Sequence, residues 1–118
     1  MGFLESLRRM VEAVPGAMAA AVVGTDGLVV EGYTPHGSVD LQVHGAEMAT
    51  AMNAVSKAME ALQQGEVEEL TVRTGQALAI LRPVAAGYFT LLLLHPDGNL
   101  GKGRFVLRRA TPELSKEF

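Results

Sequence analysis

The sequence predicts an α+β domain with the element order α-β-β-α-β-β-β-α. Two features carry that prediction. Apolar residues recur at helical spacing in three places, and the runs between them are strand-length and bounded by Gly, Pro or Asp-Gly. The chain has 118 residues, which suits one compact core. Leu, Ile, Val and Phe supply enough bulk to exclude a disordered segment.

Taking the elements in order, Phe3, Leu7, Met10/Val11 and Val14 follow a helical period, and Pro15-Gly16 stops that helix. Ala17 to Val23 is a small-residue strand. Thr25-Asp26-Gly27 is a hairpin turn, because Gly supplies positive φ there, and Leu28 to Tyr33 returns. Residues 32–45 carry Pro35 and Gly37 and read as a loop, although Val39, Leu41 and Val43 alternate as an edge strand does. From Ala46 to about Gln64 the pattern is helical. Met48, Met52, Val55, Met59 and Leu62 fall within an arc of about 80°. Ala51, Ala54, Ala58 and Ala61 form a stripe beside it, and Thr50, Asn53, Ser56, Lys57, Glu60, Gln63 and Gln64 take the opposite side. The bulky stripe suits a sheet, whereas the alanine stripe admits a second helix at close range.

Gly65 ends this helix. Val67 to Thr74 alternates, with Leu70 and Val72 facing one way and Glu69, Thr71 and Arg73 the other. Gln76 to Arg82 is the next strand, Pro83 to Gly87 a turn, and Tyr88 to Leu94 the most hydrophobic strand, expected to be central. A last helix from Asn99 to about Arg109 is weakened by Gly101 and Gly103, and Thr111-Pro112 caps a short terminal turn. One domain over 1–110 and a C-terminal tail over 111–118 are expected.

Composition excludes several kinds of chemistry. With no cysteine, disulfides, thiolate catalysis, iron–sulfur clusters and cysteine-rich zinc sites are absent, consistent with a reducing, cytoplasmic setting. The net charge of −3 divides into −7 over residues 1–70 and +4 over 71–118. No general basic field exists for nucleic acid. The split fits salt bridging within one domain or a surface polarised for a charged partner. No uncharged apolar run approaches the about 18 residues of a membrane span. Met1-Gly2 with Ser6 matches the permissive myristoylation pattern, but the amphipathic helix already explains this segment.

Catalytic constellations are missing as well. His36, His44 and His95 lie in loops or strand ends without ligand spacing, so no metal is expected. No serine sits in a Gly-x-Ser-x-Gly elbow. Gly101-Lys102-Gly103 fails as a phosphate loop, since Pro96 replaces its first glycine and Gly103 the magnesium-binding hydroxyl residue. No cofactor is expected. Lys102, Arg104, Arg108 and Arg109 form a basic cluster on the last helix, read as a solvated helix face or a patch for an acidic partner.

The chain resembles the Roadblock family, comprising dynein light chain roadblock and bacterial MglB-like proteins. The resemblance rests on Val14-Pro15-Gly16 before an apolar strand, Thr25-Asp26-Gly27-Leu28-Val29-Val30, and the Ala/Met-rich central helix. Three consecutive strands and Asn99-Leu100-Gly101 leading to Arg104 complete it. The chain departs from the pattern at Lys102-Gly103 and in loop 33–45. The resemblance implies a five-stranded antiparallel sheet, central helix on one face and terminal helices on the other, a roadblock/profilin-like sandwich. It implies a homodimer through paired central helices and third strands: here Ala51, Ala54, Ala58 and Ala61 with Leu70, Thr71, Val72, Arg73 and Thr74. It further implies a non-enzymatic regulator or scaffold of a small Ras-like GTPase docked on Thr50, Asn53, Ser56, Lys57 and Glu60. MglB-like members activate hydrolysis by rearranging the GTPase's own residues, so neither Arg73 nor Arg82 is assigned as an arginine finger. The alternative is a small-molecule-sensing module, which requires an internal cavity with polar groups to orient a ligand.

Overall fold

The apolar run Tyr88–Leu94 (β5) forms the middle of the sheet, as expected. The computed structural model describes residues 2–118; Met1, where the acylation pattern starts, lies outside them. Around β5 stand β1 (Ala17–Gly24), β2 (Val29–Tyr33), β3 (Leu70–Arg73) and β4 (Leu78–Ala85), in the order β2-β1-β5-β4-β3. Every neighbouring pair is antiparallel. Helices α1 (Phe3–Ala13) and α3 (Leu100–Ser115) cover one face, and α2 (Leu41–Ala61) the other.

Strand periodicity assigns the two cores. Ala20, Val22, Leu78, Ile80, Leu92 and Leu94 point at Leu7, Met10 and Val11 of α1 and Leu107 and Leu114 of α3. Ala19, Ala21, Val23, Ala79, Leu81, Phe89, Leu91 and Leu93 point towards Ala49 and Met52 of α2. Successive residues of β5 thus feed opposite cores, which is why the run is apolar, apart from the buried Thr90, rather than alternating.

Helices α2 and α3 each seat a glycine against the strands. A Cβ on Gly45 of α2 would lie 2.8 Å from Val29 Cγ2 and 3.4 Å from Val23 Cγ1. One on Gly103 of α3 would lie 3.0 Å from Ile80 Cδ1. The glycine expected to weaken the last helix is therefore the residue through which it meets the sheet.

Several element boundaries differ from the expectation, β3 among them, which begins at Leu70 rather than Val67. Helix α2 begins at Leu41, not Ala46, because Asp40 caps it, accepting from the Val43 N–H at 3.3 Å. The long loop shrinks to a segment holding a single 3-10 turn, Pro35–Gly37. At its other end α2 stops at Ala61, where Gln63 (φ 54°) and Gly65 (φ 88°) turn the chain left-handed. Strand β4 continues past Arg82 to Ala85 through Pro83. Pro83 stands beyond the end of β3, so its missing N–H costs that ladder nothing, and the register shifts between Pro83 and Ala85. Helix α3 is capped by Asn99, whose side chain accepts from the Lys102 N–H at 2.9 Å, and runs to Ser115 rather than about Arg109. It passes through Pro112; the Thr111 hydroxyl donates to the Leu107 carbonyl at 2.8 Å, and fully buried Leu114 anchors the last turn.

The turns at one end are joined by backbone. The N–H groups of His95 and Asn99 donate to the carbonyls of Gly16 (2.8 Å) and Pro15 (3.0 Å). Gly16 has φ +86°, and a Cβ there would fall 2.5 Å from the Gly98 Cα. Gly16→Ala is expected to cost about 2 kcal/mol or more, through left-handed strain and a backbone clash. Gly75→Ala, with open space around its Cβ position, leaves stability nearly unchanged. Urea unfolding of the two variants checks the contrast.

Candidate interaction surfaces

The proposed interface and docking residues lie mainly on α2, so the way this helix meets the sheet determines what remains outside. Its contact is concentrated in the first half. Gly45, Ala49 and Met52 are buried and Met48 packs against the same core, with α2 lying over β1 and β2. The second half lifts away. Val55 and Met59 are only half-buried, and Leu62, expected in the buried stripe, is 61% exposed because the helix has already ended. Ala51 is half-buried, while Ala54, Ala58 and Ala61 are exposed. The helix end thus presents a small-residue stripe flanked by incompletely covered apolar side chains.

On the polar side, Thr50, Lys57 and Glu60 are exposed and Ser56 half-buried. Asn53 is tied down: its side-chain Nδ2 donates to the Thr25 carbonyl at 2.9 Å, and the Thr25 N–H donates to the Gly87 carbonyl at 2.9 Å. This link couples α2 to the β1–β2 and β4–β5 turns. Ser56 and Glu60 border an open groove of about 760 Å³, whose opposite wall includes Val67, Pro83 and Ala85.

Strand β3 ends the sheet, with one neighbour only. Leu70, Thr71 and Val72 are half-buried and Arg73 exposed. Thr74 lies just past the strand and holds the β3–β4 turn, its hydroxyl accepting from the Gln76 and Ala77 N–H groups at 3.1 Å each.

At the start of β3 sits a charge cluster that the sequence reading missed. The Glu69 carboxylate accepts from Arg104 Nε at 2.7 Å and stands 3.7 Å from Arg82 Nη1; the Thr71 hydroxyl donates to it at 3.4 Å. The salt bridging within one domain that the charge split suggested is found here, between the entry of β3 and the last helix. Part of this was available from the hairpin. The pairing Leu70↔Leu81, carried one residue further, sets Glu69 opposite Arg82. Arg104 is brought in by tertiary packing alone.

His44 is not in a loop but in the first turn of α2, its Nδ1 2.9 Å from the Asp40 carbonyl. Among the described residues no group of three His, Asp or Glu side chains is placed to hold a metal ion, and no helix is long and apolar enough to cross a membrane.

Comparison with known proteins adds family information to this geometry. The model of the Roadblock/LC7 domain matches residues 4–94. The crystal structure of MglC from Myxococcus xanthus is 36% identical, covers 97% of each chain and superposes with a TM-score of 0.72. The gliding protein MglB from Thermus thermophilus is 16% identical over 96% of this chain and 85% of its own, with a TM-score of 0.85. Profilin IA from Acanthamoeba castellanii, 19% identical over 86% of this chain and 87% of its own, shares the fold with a TM-score of 0.54. Comparison with curated protein sequences gives no match.

The cluster around Glu69 is expected to respond asymmetrically. The side chains of Glu69 and Arg82 are 20% and 21% exposed, whereas that of Arg104 is 55% exposed. Glu69→Gln leaves Arg82 without its carboxylate and costs about 1–2 kcal/mol. Arg104→Ala removes an exposed pair and costs about 0–1 kcal/mol. Denaturant titrations of both variants at low and high salt test this order.

Proposed function

Because the chain belongs to the Roadblock/LC7 family, we propose that it is a non-enzymatic, homodimeric regulator or scaffold of a small Ras-like GTPase. The observation that carries this reading is the second half of α2. Its own sheet leaves it uncovered, with Ala54, Ala58 and Ala61 exposed beside half-buried Val55 and Met59. A stripe of alanines permits two helix axes to approach to about 8 Å. In this proposal the partner's α2 packs against Ala51, Ala54, Ala58 and Ala61. The unpaired edge of β3, Leu70 to Arg73 with Thr74 at its end, meets its counterpart by strand addition.

The GTPase then docks on the paired helices through Thr50, Ser56, Lys57 and Glu60. Asn53 acts there mainly as a support, because its amide is engaged by the Thr25 carbonyl. MglC is 36% identical to the chain, whereas MglB, at 14–16%, informs the fold alone. Regulation or tethering of a GTPase is therefore proposed here, and acceleration of hydrolysis is not.

The test is retention of purified Ras-like GTPases, loaded with GDP or a GTP analogue, on immobilised protein. The unmodified chain is expected to retain a GTPase in one nucleotide state. Lys57→Glu weakens that binding about tenfold, the scale of a well-placed interface residue. Ala54→Arg converts the dimer to monomer in sedimentation and abolishes retention. Failure of any GTPase to bind in either state would sink the proposal.

A further inference from the structure

A second surface lies across the sheet from α2, and the proposed GTPase docking does not use it. Helices α1 and α3 pack together over the other core, and between their outer sides runs an open groove of about 690 Å³. Its apolar lining comes from Met10 and Ala13 of α1 and Val106 and Ala110 of α3, and the polar Ser6 and Arg9 of α1 also border it. Phe105 stands at its border, 45% exposed on a chain with only four phenylalanines. The Arg108 and Arg109 guanidinium carbons lie 6.0 and 5.7 Å from the Phe105 ring centroid.

Of the seven arginines, Arg8, Arg9, Arg82 and Arg104 are held in ion pairs among the described residues, whereas Arg73 on β3 and the two beside Phe105 are not. Arg8 is engaged by Glu5 at 2.6 Å and by Glu12 at 3.4 Å, and Arg9 by Glu5 at 3.4 Å. The Arg8 guanidinium holds the Glu5 carboxyl below its ordinary pKa. Arg82 and Arg104 share Glu69. Among the described residues, Arg108 and Arg109 form no ion pair; their contact is the aromatic ring, an attraction of about 0.5–1 kcal/mol at exposed sites. The surface therefore combines a concave apolar strip, an exposed aromatic and two cations without carboxylates.

We propose that the α1–α3 groove docks an acidic amphipathic helix of a partner protein. Its apolar side chains seat over Ala13, Val106 and Ala110, above the buried Met10, and its carboxylates meet Arg108 and Arg109. Concavity favours a helix over an anionic membrane, because a bilayer surface cannot follow a groove between two helices. The carboxylate of Glu113, which also borders the groove, sets the partner's orientation by repelling acidic groups from one end. This surface is separate from α2, so a protein using both would join a GTPase on one side of the sheet to a second polypeptide on the other.

The test titrates isotope-labelled protein with a panel of helical peptides carrying Leu at positions 1, 4, 8 and 11 and Glu elsewhere (about helical spacing). Matched peptides with Lys in place of Glu, and phosphatidylserine vesicles, serve as the other arms. The acidic peptides are expected to shift the amides of Met10, Phe105, Val106 and Ala110 saturably. Phe105→Ala and the Arg108→Glu/Arg109→Glu double variant each weaken binding about tenfold, and raising the salt weakens it further. Circular dichroism of these exposed-site variants verifies that they remain folded. The proposal is overturned if no acidic peptide produces saturable shifts, or if the Lys peptides bind equally well. Binding to vesicles but not to peptides overturns it in favour of a lipid surface. Shifts of the same amides with protein concentration alone overturn it in favour of a second copy.

Discussion

The structure depends on how closely two layers of helix approach one sheet. With 118 residues, four Phe and no Trp, the chain lacks the bulk to fill wide gaps on both faces. The gaps are narrowed instead. Gly45 lets α2 settle on Val29 and Val23, and Gly103 lets α3 settle on Ile80. Ala19, Ala20 and Ala21, fully buried in β1, keep side chains short on both faces of that strand. Close packing of this kind maximises dispersion contacts per residue and leaves little tolerance for added methylenes. It also accounts for the three buried alanines of β1 and for Gly45 and Gly103 inside their helices.

The interaction surfaces follow from the same constraint. Because α2 is seated by Gly45, Ala49 and Met52, its contact with the sheet is concentrated in its first half, and the alanines of its second half stay outside. Because α3 is seated by Gly103, Leu107 and Leu114, the residues on its other side, Phe105, Arg108 and Arg109, face away from the core. Each helix is anchored along one line and offers the remainder of its circumference. The turns that fix these lines are themselves joined, Gly16 to His95 and Thr25 to Gly87 by backbone, and Asn53 to Thr25 by side chain.

Much of this was legible in the sequence, for identifiable reasons. The strands announced themselves through short apolar runs between turn residues, and Tyr88–Leu94 was central because its apolarity had no period. The alanine stripe of α2 followed directly from helical spacing. The start of α2 was missed because Val39, Leu41 and Val43 alternate at period two while Gly45 resembles a breaker. Asp40 as a cap and Gly45 as a contact reverse both signals. Pro112 hid the last turn of α3, since burial of Leu114 outweighs local propensity. Among the candidate site residues, Asn53 read as a free polar side chain and is engaged by a carbonyl 28 positions away in sequence. The Arg104–Glu69 bond spans 35 positions, and no local pattern encodes such a pairing.

The central proposal is that β3, an edge of the sheet with a single neighbour, is completed by a second copy of the chain. Native-state hydrogen exchange of the intact protein, measured across protein concentration, tests it most directly. The β5 amides, flanked by strands on both sides, are expected to be strongly protected and insensitive to concentration. Protection of the Leu70 to Arg73 amides that point away from β4 should rise with concentration as copies pair. Rapid exchange of those amides at every concentration would contradict the account.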